Sequence, residues 1–268
     1  MKYIKKIDNR KLYGDGIGGV DLFDFSHAND NEESRIEAVA TVASICYGKP
    51  PKDAEKLVKR LQTESGGLPS SAFEFIRIGF APCCVGINAS LRNDPRMMTL
   101  EAYARAGASS ESAFTMDEMH ELNNQHLATF RIKVPIFIAR QVMRHRSFSY
   151  QELSRRYTTD GAVNLEWWLV DVGFNAREFM LDAYEHQRVA YRTLLNKGVP
   201  PEQARSVLGT GLYTEFWMMG DKVAWANYFK LRLDSHTQKE HRELAQAMAD
   251  LLSVHQLALW KQVEPYKG

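Results

Sequence analysis

Residues 134–157 read VPIFIARQVMRHRSFSYQELSRRY, an apolar segment followed at once by a cluster of arginines. Pro135 suits the first turn of a helix, and the mostly apolar residues after it predict that this helix is buried. The helix would present Arg144, His145 and Arg146 at its carboxyl end, where the helix dipole favours cations. Because cations beside a buried element lose hydration, we expect a bound anion to offset that cost.

The second half of this stretch carries polar groups suited to a ligand more elaborate than a simple anion. Arg155 and Arg156 offer planar forks of donors that match phosphate or carboxylate oxygens. Neighbouring serine hydroxyls and the acceptor Glu152 add further hydrogen-bonding groups. The pattern predicts a site for a phosphorylated, heterocyclic ligand. The alternative is an exposed helix face on which the same charges form local ion pairs.

Composition bounds the class of protein without deciding its function. A chain of 268 residues, of which 44% are hydrophobic, can bury one substantial core, so we predict a single domain over residues 1–268. The net charge of +1 disfavours nucleic acid as a partner, since such proteins carry a marked basic surplus. No stretch resembles a membrane span, and residues 1–6 lack the apolar core of a signal peptide, so we expect a cytoplasmic protein.

The sequence gives no reason to expect a metal site. Cys46, Cys83 and Cys84 do not have zinc-ligand spacing, and we expect buried thiols. His120 and His126 are six positions apart. On a helix that spacing turns the two rings to different faces, unlike the pair of a metallohydrolase.

Periodicity predicts a mixed fold. The first thirty residues are rich in Gly and Asp and predict irregular structure, whereas residues 33–46 and 53–63 have helical spacing. Partial alternation predicts strands over residues 73–80 and 126–133. The carboxyl half predicts helices at 175–196 and 201–208, and a long helix over 222–252.

Two blocks of sequence carry a family resemblance. The run Arg144-His145-Arg146, followed after seven residues by Ser154, resembles the signature of the flavin-dependent thymidylate synthases. Other residues of the first block also fall where that pattern has them: Gln141, Glu152, Arg156 and Tyr157. Residues 204–214 and 227–238 are similar to the family's carboxyl-terminal segment. The resemblance extends from residue 134 to about 252 and is poor over the first 130 residues.

The resemblance implies an α+β fold with an antiparallel sheet flanked by long helices, and an insertion near residues 81–125. It implies bound FAD, reduced by NADPH, and methylenetetrahydrofolate as the carbon donor. The implied reaction is C5-methylation of a uridine monophosphate, with dUMP to dTMP as the first expectation. Protein side chains supply neither the carbon unit nor the hydride, so a cofactor must. The family also implies a homotetramer whose sites are built where chains meet.

The resemblance assigns residues to each ligand. The residues implied for the pyrimidine nucleotide are Gln141, Arg144, Glu152, Ser154, Arg155, Arg156, Arg205 and Arg232. The residues implied for FAD are Glu74, Arg144, His145, Arg146, Asn227, Leu231 and His236. Arg144 would lie between the two ligands, and Arg144 and Arg232 take the catalytic role by orienting the reactants and polarising the pyrimidine.

Departures from the family pattern keep alternatives open. Relatives hold the flavin with a histidine motif; residues 68–75 match it by context and keep Glu74, whereas residues 120–126 supply histidines without the neighbouring sequence. Asp221 and Val223 stand where an Asn and an Arg often serve the flavin. The alternatives are methylation of UMP or another pyrimidine nucleotide in a specialised nucleoside pathway, or a non-catalytic nucleotide-binding relative.

Overall fold

A computed structural model describes residues 2–28, 30–64, 71–75, 77–79, 97–99, 127–156, 164–170 and 173–263. Several predicted features lie outside these ranges: the insertion apart from residues 97–99, the histidine-containing residues 120–126, Tyr157 and the side chain of Glu74. The described elements combine helices with an antiparallel sheet, so the predicted α+β class is confirmed.

The main sheet has five antiparallel strands in the order β1-β2-β5-β7-β6. Their bounds are β1 Lys5–Lys11, β2 Gly19–Asp24, β5 Leu127–Pro135, β6 Ser149–Glu152 and β7 Tyr213–Asp221. A separate pair joins β3 Arg77–Gly79 to β4 Met97–Thr99. The long central pair, β5 with β7, runs in register from Leu127 opposite Asp221 to Pro135 opposite Tyr213.

The helices are α1 Glu32–Ser44, α2 Ala54–Glu64, α3 Ile136–Val142, α4 Phe174–Asn196, α5 Pro201–Ala204, α6 Lys222–Arg232, α7 Lys239–His255 and α8 Leu257–Val263. Short 3₁₀ turns follow α1 at Ile45–Tyr47 and α5 at Arg205–Val207, and a third covers Ser71–Phe75. None of the described helices is both long and apolar enough to cross a bilayer.

The sheet is covered on both faces, and β7 shows why. Successive side chains of a strand point to opposite faces, so Phe216 and Met218 enter one core while Trp217 and Met219 enter the other. The first core contains α3, α6, α7 and α8, and the second contains α1. The first arginine block follows the end of α3, and Arg232 of the second block is the last residue of α6. Both helices pack in the first core, so they lie on the same face of the sheet.

Three predictions were wrong. The first thirty residues form the hairpin of β1 and β2, because Val20 and Leu22 are buried at alternate positions that a composition count does not detect. Within the predicted strand 73–80, the described residues form the end of the 3₁₀ turn Ser71–Phe75 and the short strand β3 Arg77–Gly79. The helix over 222–252 is interrupted, since the Asp234 carboxylate accepts from the His236 backbone N–H and the Thr237 hydroxyl donates to the Leu231 carbonyl.

Candidate active site

The first arginine block lies at the end of α3, as predicted. The helix ends at Val142, and its last turn is closed by the Met143 and His145 backbone N–H groups, which donate to Ala139 and Val142. Arg144 and Arg146 are exposed and make no hydrogen bond or ion pair with other described residues. His145 between them turns inward, where its ring packs edge-on against Tyr228 with centroids 4.9 Å apart. The block thus offers two exposed cations around one half-buried imidazole.

The second block reaches the first through Arg232, the last residue of α6. Its Nε donates to Nε2 of His145 over 2.9 Å. The acceptor role of Nε2 leaves the ring proton on Nδ1. Burial, helped by the Arg232 charge, lowers the pKa of His145 to about 4, so the imidazole is neutral near pH 7. Residues 87 positions apart in sequence are therefore hydrogen-bonded neighbours.

Gln141 stands one turn before the arginines and is tied to α7. Its Nε2 donates to Oε1 of Gln238 over 2.7 Å, and its Oε1 lies 3.3 Å from Nδ1 of His241. The carboxamide is therefore fixed from both ends. A fixed amide is suited to recognising one ligand atom, because its donor and acceptor sides are not interchangeable.

Glu152 is the last residue of β6, and arginines from both blocks act on its carboxylate. The Thr214 hydroxyl donates to its Oε1 over 2.7 Å. Desolvation of the carboxylate raises the pKa of Glu152, and the opposing positive charges that act on it come from Arg140, Arg155 and Arg205. The structure thus places Arg205 close enough to Glu152 for its charge to act on the carboxylate.

The segment after β6 carries three more of the predicted residues. The Ser154 backbone N–H donates to the Cys46 carbonyl, which fixes the chain, and the Ser154 hydroxyl accepts from the backbone and Nε of Arg156. Arg156 is exposed, as a phosphate ligand needs to be. Arg155 differs: it is only 8% exposed and donates from Nη2 to the Tyr213 carbonyl over 3.2 Å, so it also holds β7.

The residues implied for the flavin are placed differently. Asn227 and Leu231 lie one turn apart on the exposed face of α6, together with Val223. His236 lies in the turn after α6, with its ring 94% exposed and bonded to the Asp234 carboxylate. Among the described residues no hydrogen bond joins these side chains to the arginine cluster. The exposed apolar and amide groups on α6, with the unpaired Arg144 and Arg146, fit a flat ligand that carries a pyrophosphate.

One part of the site was missed by the sequence analysis. The Cys46 thiol donates to the Glu152 carbonyl over 3.2 Å and accepts from Nε2 of Gln151 over 2.8 Å. The Ser71 hydroxyl donates to the other end of the Gln151 carboxamide. The contacts of Cys46 hold the 3₁₀ turn after α1 against β6, the strand that carries Glu152. Burial raises the pKa of the Cys46 thiol, which suits a structural thiol and not a nucleophile. A cysteine without partner spacing gives no sequence signal for such a role.

Comparison with known proteins adds to this geometry. Residues 102–255 match the family model described as thymidylate synthase complementing protein. A flavin-dependent thymidylate synthase of Pseudothermotoga lettingae is 37% identical over 145 residues, which cover 49% of this chain and 64% of that protein. Proteins of the same name from Thermotoga neapolitana and Synechocystis sp. are 35% identical over 148 residues and 34% over 142. Their matches cover 52% and 47% of this chain, and 67% and 66% of the relatives.

The match to the first of these relatives spans just under two thirds of that relative's length. The family model covers more than half of this chain and includes α3, β6, β7, α6 and α7, the elements that carry both arginine blocks. With the hydrogen bond between His145 and Arg232 joining the two blocks, this match shows that the chain belongs to the thymidylate synthase complementing protein family.

Proposed function

We propose that this protein methylates C5 of a uridine monophosphate, converting dUMP to dTMP, with FAD as cofactor and with NADPH and methylenetetrahydrofolate as co-substrates. The observation that carries the proposal is the contact between Arg232 and His145, which joins two distant arginine blocks into one polar site. The names of the relatives support the same activity. We propose also that residues 1–268 form one domain with the fold of this family.

The nucleotide would be held mainly by charge-assisted hydrogen bonds. Arg156 and Arg205 are exposed and close to Ser154 and Glu152, so they are placed to clamp the phosphate. Each hydrogen bond to a charged group contributes about 1.5–3 kcal/mol. The remaining residues of this proposed nucleotide site are Gln141, Arg144, Arg155 and Arg232.

The catalytic work of the chain itself would be orientation and polarisation. Arg144 and Arg232 carry fixed positive charge beside the neutral His145, and a guanidinium near a pyrimidine carbonyl stabilises negative charge that develops there. Holding two reactants in register can lower a barrier by about 7–11 kcal/mol. The bound flavin would supply the hydride, which no side chain of this site can supply.

The flavin would lie against the exposed face of α6, which presents Asn227 and Leu231, with His236 at its end. Arg144, His145 and Arg146 would hold it from α3, and Glu74 is the proposed contact from the 3₁₀ turn before β3. These two groups of residues are not joined within the described part of one protomer. A site shared between protomers would bring them together.

We propose that the protein is a homotetramer with such shared sites. The long helix α4 supports this, because Tyr191 is the only residue on it that is buried in the protomer. Its exposed apolar side chains include Phe174 at 73%, Phe179 at 82%, Leu181 and Val189. A row of exposed apolar side chains of this kind is typical of a surface covered in an assembly.

A second candidate is a relative that binds a nucleotide without turnover. It is favoured by Asp221, whose carboxylate caps α6 by accepting from the Val223 and Ala224 N–H groups, and by Val223, which offers no charge to a flavin. Methylation of UMP or another pyrimidine nucleotide is a third candidate, since the sugar is distinguished by one hydroxyl.

The deciding experiment measures tritium release from C5-labelled dUMP by the purified protein with FAD, NADPH and methylenetetrahydrofolate. We expect a yellow protein and NADPH-dependent release. UMP and dCMP tested beside dUMP identify the nucleotide. A colourless protein that binds dUMP, takes up no added FAD and releases no tritium would support the non-catalytic relative and contradict the proposed activity.

A further inference from the structure

His241 is a fully buried histidine that the proposed mechanism does not use. It lies in the first turn of α7, has 0% exposure, and is surrounded by groups from two other helices. Its Nε2 lies 3.1 Å from the Tyr228 hydroxyl on α6, and its Nδ1 lies 3.3 Å from Oε1 of Gln141 on α3. Both ring nitrogens therefore have partners, and one partner belongs to the nucleotide site.

The partners determine where the ring proton is. An amide oxygen only accepts, so Nδ1 of His241 must carry the proton and donate to Gln141. Nε2 is then unprotonated and accepts a hydrogen bond from the Tyr228 hydroxyl. Burial, with the charge of Arg232 and the proximity of His145, lowers the pKa of His241 to about 3. The ring is therefore neutral near pH 7, with its one proton on Nδ1.

The position of the proton on His241 determines which end of the Gln141 carboxamide faces a ligand. Because Oε1 of Gln141 is turned towards the buried His241, the NH₂ group is the part of the carboxamide directed at other partners, and one of its two hydrogens goes to Oε1 of Gln238. The second hydrogen is available to a ligand. The side of Gln141 that faces away from His241 thus offers a donor, and a ligand group that itself donates meets the NH₂ group and not the oxygen.

We propose that His241 is a positioning residue that fixes the amide of Gln141 so that it selects an acceptor oxygen of the bound nucleotide. This inference rests on the proposed function for the presence of a nucleotide. The acceptor is a pyrimidine carbonyl or a phosphate oxygen, which share the same chemistry. Without His241 the amide is held only by Gln238, so its oxygen can turn towards the ligand and the preference for an acceptor is weakened.

The test compares His241→Phe, which removes the donor, with His241→Asn, whose amide nitrogen replaces Nδ1. His255→Phe is the matched control, because it makes the same change at the other end of α7, where the ring bonds Asp8. Calorimetry gives the dissociation constants of dUMP, dCMP and deoxyuridine for each protein. We expect His241→Phe to weaken dUMP binding about threefold to tenfold, with His241→Asn and His255→Phe close to wild type.

The three ligands separate the two acceptors. If Gln141 meets a pyrimidine carbonyl, His241→Phe narrows the preference for dUMP over dCMP, because the amide can then accept from the cytosine amino group. If Gln141 meets the phosphate, the variant weakens dUMP and dCMP alike and leaves deoxyuridine unchanged. Equal affinity of wild type and His241→Phe for all three ligands would overturn the proposal.

A second measurement is independent of the substrate and of protein activity. Nitrogen-15 spectra of the histidine rings in the wild-type protein report which nitrogen of His241 is protonated, with His241→Asn used to assign the signal. We expect the proton on Nδ1. A proton on Nε2 would leave Gln141 without its donor and overturn the proposal even if His241→Phe does not fold. Failure of the wild type to bind dUMP would instead count against the proposed function.

Discussion

Arg232 donates from Nε to Nε2 of His145 over 2.9 Å, so the last residue of α6 is bonded to the third residue after the end of α3. The contact uses only Nε of Arg232 and leaves both Nη groups of its guanidinium available to a ligand. It also places the ring proton on Nδ1, while burial, helped by the Arg232 charge, keeps the imidazole neutral. A single bond thus orients one guanidinium and one imidazole at the same site.

Replacing Arg232 with Lys keeps the positive charge and removes the planar pair of donors that the guanidinium provides. A lysine ammonium has a different reach and cannot bind a planar group with two parallel donors, so nucleotide binding should weaken. We expect a loss of roughly 1.5–3 kcal/mol, or about tenfold to a hundredfold in the dissociation constant of dUMP measured by calorimetry. Arg35→Lys on α1, which packs on the opposite face of the sheet, is the control and should bind as the wild type does. Unchanged affinity in Arg232→Lys would remove Arg232 from the nucleotide site.

Thr214 controls the ionisation of Glu152, and its removal should be visible in a pH profile. The Thr214 hydroxyl stabilises the ionised carboxylate and opposes the desolvation that raises the pKa of Glu152. Thr214→Val should therefore raise that pKa further. The acid limb of kcat/KM for dUMP should move to higher pH, because both oxygens of Glu152 are free of an O–H donor, and the carboxyl carries its negative charge, only when it is ionised. Thr214→Ser keeps the donor and should retain the wild-type profile; an identical shift in both variants would point to packing instead.

The amount that sequence reasoning predicts differs between the fold and the site. The helices at 32–44, 54–64 and 174–196 were predicted to within two residues, because apolar spacing along one chain segment is a local property. The hairpin of β1 and β2 was missed, since its stability comes from pairing with β5, more than one hundred residues away. The break after Arg232 was missed because hydrogen bonds of Asp234 and Thr237 override a continuous helical pattern.

At the site, sequence motifs identified residues but not their partners. Both arginine blocks were recognised, yet nothing in the spacing shows that Arg232 bonds His145 or that Arg155 is buried against Tyr213. Cys46 was predicted as a buried thiol but not as part of the site, and His241 was not identified at all. The role of each depends on a contact with a residue about one hundred positions away, Gln151 for Cys46 and Gln141 for His241. Such contacts have no periodic or motif signature in a single sequence.

The half-buried His145 and the buried His241 should make stability fall in acid. His145 and His241 have native pKa values of about 4 and about 3, against 6.5 for an ordinary histidine. Between those values the unfolded chain binds protons that the native state excludes, so the stability present above pH 6.5 is lost as the pH falls towards 4 and 3. Each histidine contributes a slope of up to about 1.4 kcal/mol per pH unit. Denaturant unfolding at pH 4.5 to 7.5 should show a smaller slope for His241→Asn, and an unchanged slope would contradict the low native pKa of His241.

The exposed face of α4 gives the last prediction, which concerns assembly. Phe179 is 82% exposed in the protomer, and a charge at its position would be buried without a partner if another copy covers this face. We expect Phe179→Glu to convert the proposed homotetramer to smaller species, as measured by light scattering coupled to size-exclusion chromatography. Lys197→Glu, just beyond the end of α4, introduces the same charge at an exposed position and should leave the assembly intact. Loss of FAD from Phe179→Glu alone would further indicate that the exposed face of α6 and the arginines of α3 meet across protomers. A tetrameric Phe179→Glu variant would show that α4 faces solvent in the assembly.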